Sequence, residues 1–432
     1  MKTLIYICIF ILCCACSGGN KQHNNQPILP PEDYVIELEE AFANTTDRNL
    51  SEFVDSVVFL PLPSQPLLPR RSLIEYSKPY FTYFSGPVFD AQGKYVGNVG
   101  SMGQGAGEES NGWGYSVLYD EVNDLFYTKG DKIIQFDKNR KFTGKDLRIA
   151  YRDRTGSALP QGLSNPYTFV RSGKYNVVYN YPDSAYWMDK NLNIVKKERL
   201  IPTEWLPEPF TYSILMDYTF STFRDTTYMY NCFTDELCTV TEDGIKPRWK
   251  IVVGKERAEN RCFLKDKAEL FEQTLVKTIR SLRASGNRNP QAISQTLGNS
   301  ELAQLIDGKK WVGEAYESNR YVVLSWNKLV AFKGYRENNP RHWIFYDKKT
   351  QQTISVDNLI NDMDGAINFN PSESIMGIND GIIMTTIWPY EIKAYMDECQ
   401  EKGKTVSPQI QQLMKNYHSE DNPIIVLAYL KK

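Results

Sequence analysis

Histidine is scarce. The chain has 432 residues and three of them, His23, His342 and His418. With His23 near the N-terminus, no three-histidine zinc site can form in the body of the protein. Neither of the others lies beside a Gly-x-Ser-x-Gly elbow, so a hydrolase triad has no local signature. Long apolar runs are also missing: the N-terminal one, Leu4 to Leu12, falls well short of the ~20 residues that a spanning helix needs. A formal net charge of −2 without any long basic block argues against a nucleic-acid partner. Thirteen per cent aromatic residues, with Val and Ile spread throughout, exclude wholesale disorder.

What is present begins with an address. Lys2, the apolar run and Cys13-Cys14-Ala15-Cys16 precede Ser17-Gly18-Gly19. This order resembles a bacterial lipoprotein signal, with residues 1–15 removed and Cys16 acylated, so that the protein meets the membrane through an N-terminal lipid. An ordinary secretory signal cut nearby is the alternative. Residues 16–33, rich in Gly, Asn, Gln and Pro, read as a flexible tether. In an exported chain a disulfide is permissible. Cys232 and Cys238 flank Phe-Thr-Asp-Glu-Leu, a hairpin-like stretch, and are the candidate pair; buried free thiols are the alternative.

The remainder, 34–432, is organised by repetition. Residues 115 to 150 hold four short apolar or aromatic runs separated by turn-like Glu-Val-Asn-Asp, Lys-Gly-Asp-Lys and Lys-Asn-Arg-Lys. Connections this short force an antiparallel meander, because a parallel pairing needs a crossover of about a dozen residues. The outer half of that module recurs. Phe89-Asp90, Phe136-Asp137, Met188-Asp189, the stretch Val240 to Gly244, and Tyr346-Asp347 each lead into a further strand, at steps of about 50 residues with one double step. The double step contains 265–306, whose helical periodicity marks an insertion. A second helical segment, 390–417, is interrupted around Gly403 to Pro408. Units of this size cannot bury their faces alone, and stacked in a closed ring they form an all-β, six-bladed β-propeller. The strand Val54 to Leu62, ended by prolines that suit only an edge, is expected to share a blade with Pro423 to Leu430 and close the ring.

With these features in place, the chain resembles the six-bladed β-propeller lipoproteins of Bacteroides-type bacteria, a family of largely unassigned function. The likeness rests on the start around Cys16, the opening strand Leu50 to Leu62, the run Phe89 to Glu108 with its Phe-Asp-x-x-Gly-Lys strand pair and glycine-rich exit, and the closing Asn422 to Leu427. It implies an outer-membrane lipoprotein. The lack of acidic residues in Ser17 to Lys21, a surface-export cue in some relatives, favours the periplasmic face over the cell surface.

Chemistry is thinly marked. Gly100, Gly103, Gly105 and Gly107 invite a phosphate-loop reading, but no Gly-Lys-Ser/Thr ending or helix follows them, which leaves a connection needing positive φ. Asn361-Asp362-Met363-Asp364-Gly365 lacks the later oxygens of a calcium loop and reads as a turn. The recurring Asp90, Asp137, Asp189 and Asp347 read as turn caps. No cofactor, metal or catalytic residue is assigned. Trp113, Trp205, Trp311, Trp326, Trp343 and Trp388 could form a ligand platform, although packing between blades is the commoner use of such residues. The expected function is a non-enzymatic binding or scaffold role toward a glycan, peptide or protein; the alternative is a carbohydrate-active enzyme using acidic residues at the central channel.

Overall fold

The structure, a computed structural model, describes the chain from Tyr34 to Lys432 apart from 69–73, 110–114, 149–168, 181–183, 201–218, 329–340, 371–374, most of 258–306 and a few single positions. The signal, Cys16, the tether, Trp113, Trp205 and most of the 265–306 insertion lie outside the described residues. Of that insertion, helix α1 (Lys277–Ala284) is described, with Lys277 and Arg280 exposed.

Six sheets form the six blades of a propeller. Blade 1 runs Ile74–Ser77, Tyr80–Tyr83, Pro87–Phe89, Tyr95–Asn98; blade 2 runs Ser116–Asp120, Leu125–Lys129, Lys132–Asp137, Phe142–Arg148. Blade 3 runs from Phe169–Ser172 to Ile194–Arg199, blade 4 from Thr219–Phe223 to Gly244–Val252, and blade 5 from Lys310–Glu317 to Gln352–Ile360. Each is an antiparallel meander whose first strand lies innermost.

Blade 6 is built from both chain regions. Ile375–Asn379, Ile382–Ile387 and Ile424–Leu430 are completed by Val54–Pro61, with Pro61 opposite Ile424 and Val58 opposite Leu427. Both the closure and the outermost place of the proline-ended strand are as expected. Helices α2 (Pro389–Glu401) and α3 (Pro408–Met414) connect its second and third strands, and the break between them falls where Gly403 adopts φ +63° and Ser407 caps α3 by accepting from the Ile410 N–H.

The N-terminal segment does more than close the ring. Val35–Glu37 adds a fifth, parallel strand to blade 4, with Val35 opposite Lys250, and Thr46–Asn49 does the same for blade 5, with Thr46 opposite Val356. The chain thus passes along the outer edges of blades 4, 5 and 6 in turn, covering N–H and C=O groups that an edge strand leaves unpaired. Between these strands Phe42 tucks against Trp326, ring centroids 4.6 Å apart.

Second and third strands carry the core. Tyr321 to Trp326 is buried at every position, because a middle strand has a neighbouring blade on both faces. Polar links join the blades: Ser172 Oγ donates to the Val240 carbonyl at 2.8 Å, Trp187 Nε1 to that of Thr241 at 2.8 Å, and Trp249 Nε1 to Glu317 Oε2 at 2.6 Å.

The aspartate turns act as the sequence implies. Asp90 Oδ1 accepts from the N–H groups of Gln92 and Lys94, each at 2.9 Å; Asp137 serves Asn139 and Lys141, and Asp189 serves Asn191 and Asn193, in the same way. Blade 4 departs from the series. Thr241 pairs directly with Gly244, leaving Glu242 and Asp243 as a two-residue turn.

Candidate functional site

All six innermost strands run in one direction, so their turns into the second strands gather at one end of the axis. There Lys78 of blade 1 lies 4.0 Å from Asp225 of blade 4, on the opposite side of the ring. Blades 4 and 6 also meet, with the Asp380 N–H donating to the Thr222 carbonyl at 2.6 Å and the Thr222 N–H to Asn379 Oδ1 at 3.0 Å. The other end receives the connections between blades, including the one that carries α1, and the connection that carries α2 and α3.

Between the two ends lies an axial cavity of about 330 Å³. Among the described residues its wall comes from blades 1, 2, 3, 4 and 6. Blade 5 is set back behind the innermost strand of blade 4, to which it is linked by Thr219 Oγ1 donating to the Gly313 carbonyl at 3.2 Å.

The wall carries charge of both signs. Lys78, Lys129 and Arg171 are the cations; Glu75, Glu121, Asp225 and Asp380 are the carboxylates. Near the turn end the charges are already matched. Arg171 Nη1 holds Glu121 Oε1 at 2.6 Å, and Asp380 Oδ1 accepts from the Arg224 N–H at 3.1 Å. Deeper in, Glu75 faces blade 2. Its strand partner Thr82 donates to the Val117 carbonyl at 3.0 Å, which sets Glu75 level with Ser116, and Ser116 pairs across its hairpin with Lys129. Water reaches both charges through the cavity, yet protein surrounds them. That enclosure raises the Glu75 pKa, against the pull of Lys129 and a hydrogen bond from Ser116, and it lowers the Lys129 pKa, against the pull of Glu75. Tyr76, Tyr119, Val170, Phe220 and Met384 supply apolar wall.

None of these residues stood out in the sequence. Glu75 inside Ile-Glu-Tyr and Lys129 at the end of Leu-Phe-Tyr-Thr-Lys interrupt apolar strands that elsewhere run into the core, a faint signal available only once the innermost strand of each blade is known.

The motifs that did stand out serve the fold. In the glycine-rich loop the N–H groups are taken by the loop itself: Gly105 N donates to Glu108 Oε2 at 2.6 Å, Gly103 N to the Glu109 carbonyl at 3.0 Å. The Glu109 side chain is buried and accepts from Thr128 Oγ1 at 2.8 Å, and a Cβ at Gly130 would come within 2.5 Å of its second oxygen. The Asn361 turn is self-contained, Asn361 Nδ2 donating to Asp364 Oδ1 at 2.8 Å, and Asp362 holds Ser51. His342 Nδ1 pairs with Asp357 Oδ1 at 3.0 Å and stacks against Trp326. Trp326 and Trp343 are core residues and Trp311 packs against the core, while Trp388 is half-buried beside exposed Tyr390. No described group of His, Cys, Asp and Glu could hold a metal ion.

Cys232 and Cys238 are both buried and Cys238 is a free thiol, so the structure does not join the candidate pair and agrees with the alternative reading. Asn231 pairs with Glu236, so the register places Cys238 opposite Met229 and leaves Cys232 beyond the end of the ladder. Burial pushes the Cys238 thiol well above its ordinary pKa, as an inert core thiol requires.

Fold and cavity together define a six-bladed β-propeller with a charged axial pocket. The chain belongs to the family described as Domain of unknown function (DUF4934), whose model matches residues 33–429. Among solved structures it is similar to a presumed exported protein from Bacteroides fragilis, at 14% identity and a TM-score of 0.57, over 92% of this chain and 99% of that one. It is also similar to a DUF4221 family member from Bacteroides vulgatus, at 7% identity and a TM-score of 0.44, over 88% and 97% of the two chains. No curated protein matches it.

Proposed function

We propose that this protein is an extracytoplasmic binding protein, tethered to the outer membrane through a lipid on Cys16 and facing the periplasm, that holds a ligand in its axial cavity. The supporting observation is the cavity wall. Five blades built on one repeated plan each present different side chains there, mixing both charges with Tyr, Phe and Ser, which is the composition of a specific pocket rather than of a packing layer. All four wall carboxylates have a cation or a hydrogen-bond donor beside them, an arrangement suited to recognition more than to an acid–base pair flanking a glycosidic bond. Export accords with the signal-like start and with the description of the Bacteroides fragilis relative. The first test is a binding screen of the detergent-extracted full chain against glycans and peptides, with a turnover assay on any hit. A ligand that binds without turnover, and whose binding falls when Phe220 is replaced by Ala, supports the reading; turnover of a bound glycan overturns it. Labelling with a radioactive fatty acid tests the anchor: incorporation lost in Cys16→Ala is expected, and unchanged incorporation refutes it.

A further inference from the structure

We propose that two copies of this chain pair through the outer edge of blade 6, the strand Val54–Pro61 of one copy lying antiparallel to the same strand of the other about Val58. Every blade has an outermost strand whose outward N–H and C=O groups can pair with another chain. In blades 4 and 5 the chain covers that edge itself, with Val35–Glu37 and Thr46–Asn49. The edge of blade 1 is only Tyr95–Asn98, and Arg140 lies so close to it that a Cβ at Gly97 would come within 2.7 Å of the Arg140 Nε. Blades 2 and 3 interrupt their edges with register shifts, opposite Ile134 to Phe136 and Trp187 to Met188, and line them with Lys145 and with Lys196 and Lys197.

Blade 6 has none of these devices. From Ser56 to Pro61 its outer strand runs in unbroken register against Ile424 to Tyr429, and Ser-Val-Val-Phe-Leu-Pro carries no charge. Among the described residues no strand pairs with its outer side. One end is closed, since a Cβ at Gly93 of blade 1 would meet the Pro61 carbonyl at 2.8 Å, which leaves the stretch Ser56 to Leu60, centred on Val58. Val58 is 40% exposed, and Tyr429, paired with Ser56 on the same face, is 36% exposed.

That stretch is complementary to itself. Antiparallel pairs alternate between bonded and non-bonded, and Pro61, which has no N–H, takes a non-bonded place opposite Ile424, so Val57 and Phe59 also turn their N–H and C=O groups outward. Centring a second copy on Val58 sets Val57 of each copy opposite Phe59 of the other, where those outward groups meet. The two Val58 side chains then form a close non-bonded pair, with the Tyr429 of both copies on the same face. Such a two-fold pairing closes on itself and exposes no further edge to a third copy. On blades 2 and 3 the same arrangement would set lysine against lysine, and a charged foreign strand would find no counter-charge on blade 6.

Sedimentation of the detergent-extracted full chain at micromolar concentration is expected to give twice the polypeptide mass of one chain. Val58→Lys should weaken the dimer by about tenfold or more without lowering the melting temperature, because the side chain is exposed. In membranes oxidised before extraction, Val58→Cys should give a disulfide-linked dimer, since a non-bonded pair sets its Cα atoms about 4.5 Å apart, within disulfide reach. Neither Lys138→Cys, exposed on the rim of blade 2, nor the unaltered chain should do so. Should detergent separate the copies or Val58→Lys fail to fold, the cross-link in membranes decides. A monomer whose Val58→Cys variant does not cross-link overturns the inference and leaves the edge to a strand of another protein. A dimer that persists in folded Val58→Lys also overturns it, because the contact then lies elsewhere.

Discussion

The rim and the axis of this propeller treat repetition in opposite ways. At the rim the same device returns in blade after blade: an Asp at the end of the third strand collects the N–H groups of the turn, and a residue in the left-handed region completes it, whether Gly93, Arg140, Leu192 or Gln351. At the axis no two blades offer the same set. Blade 1 contributes Glu75 and Lys78, blade 3 Arg171, blade 4 Phe220, blade 6 Asp380. Repetition marks what every blade needs in order to fold. Its absence marks where the molecule has been specialised.

The largest effect is expected where the ring closes. Val426 is 1% exposed in the strand that joins the C-terminal part of blade 6 to Val54–Pro61. Val426→Asp buries a carboxylate in the core shared by blades 5 and 6 and should cost at least about 4 kcal/mol, enough to abolish a cooperative melting transition. A normal transition would show that closure is not what holds the ring.

Next comes the axial pair. Lys129→Met leaves Glu75 enclosed without its cation and should destabilise by about 2 kcal/mol, less than a dry ion pair because water enters the cavity. Glu75→Gln/Lys129→Met should cost less than Lys129→Met alone, a coupling that denaturant melts would read directly. The pH dependence has a definite sign. Because the folded Glu75 pKa is raised, its contribution to stability is greatest below the ordinary carboxylate pKa and is lost as pH rises through the folded value. Glu75→Gln should flatten that part of the curve.

At the rim, Asp137→Ala removes the oxygen that accepts from two turn N–H groups and should cost about 1–2 kcal/mol while leaving axial binding unchanged. A change in ligand affinity would break the separation of rim from axis. Smallest of all, Gln351→Gly relieves a positive φ of 59° at an exposed position and should stabilise by about 0.5–1 kcal/mol.

Much of the rim was legible beforehand. Apolar-apolar-Asp followed by a turn is a local pattern, and local hydrogen bonds within five residues can be read from adjacent letters. Closure was legible for a related reason, since Pro61 and Pro63 forbid an interior strand and both chain ends carry apolar runs. The parallel additions at Val35–Glu37 and Thr46–Asn49 were not, because three or four residues with no hairpin partner carry no periodicity. Cys232 and Cys238 misled because equal distance from a turn does not fix register, and the ladder came out with Met229 opposite Cys238.

The sequence by itself determined the number of blades, their turns, the helical segment before the last strand and the strand that closes the ring, since each of these depends on neighbours along the chain or on what a proline forbids. Only the tertiary structure decided the pocket. Glu75, Ser116, Lys129, Arg171 and Phe220 come from four different blades, and they meet because a closed ring brings the first strands of its blades, and Lys129 at the end of a second strand, to one axis, a nearness that no spacing in the sequence records.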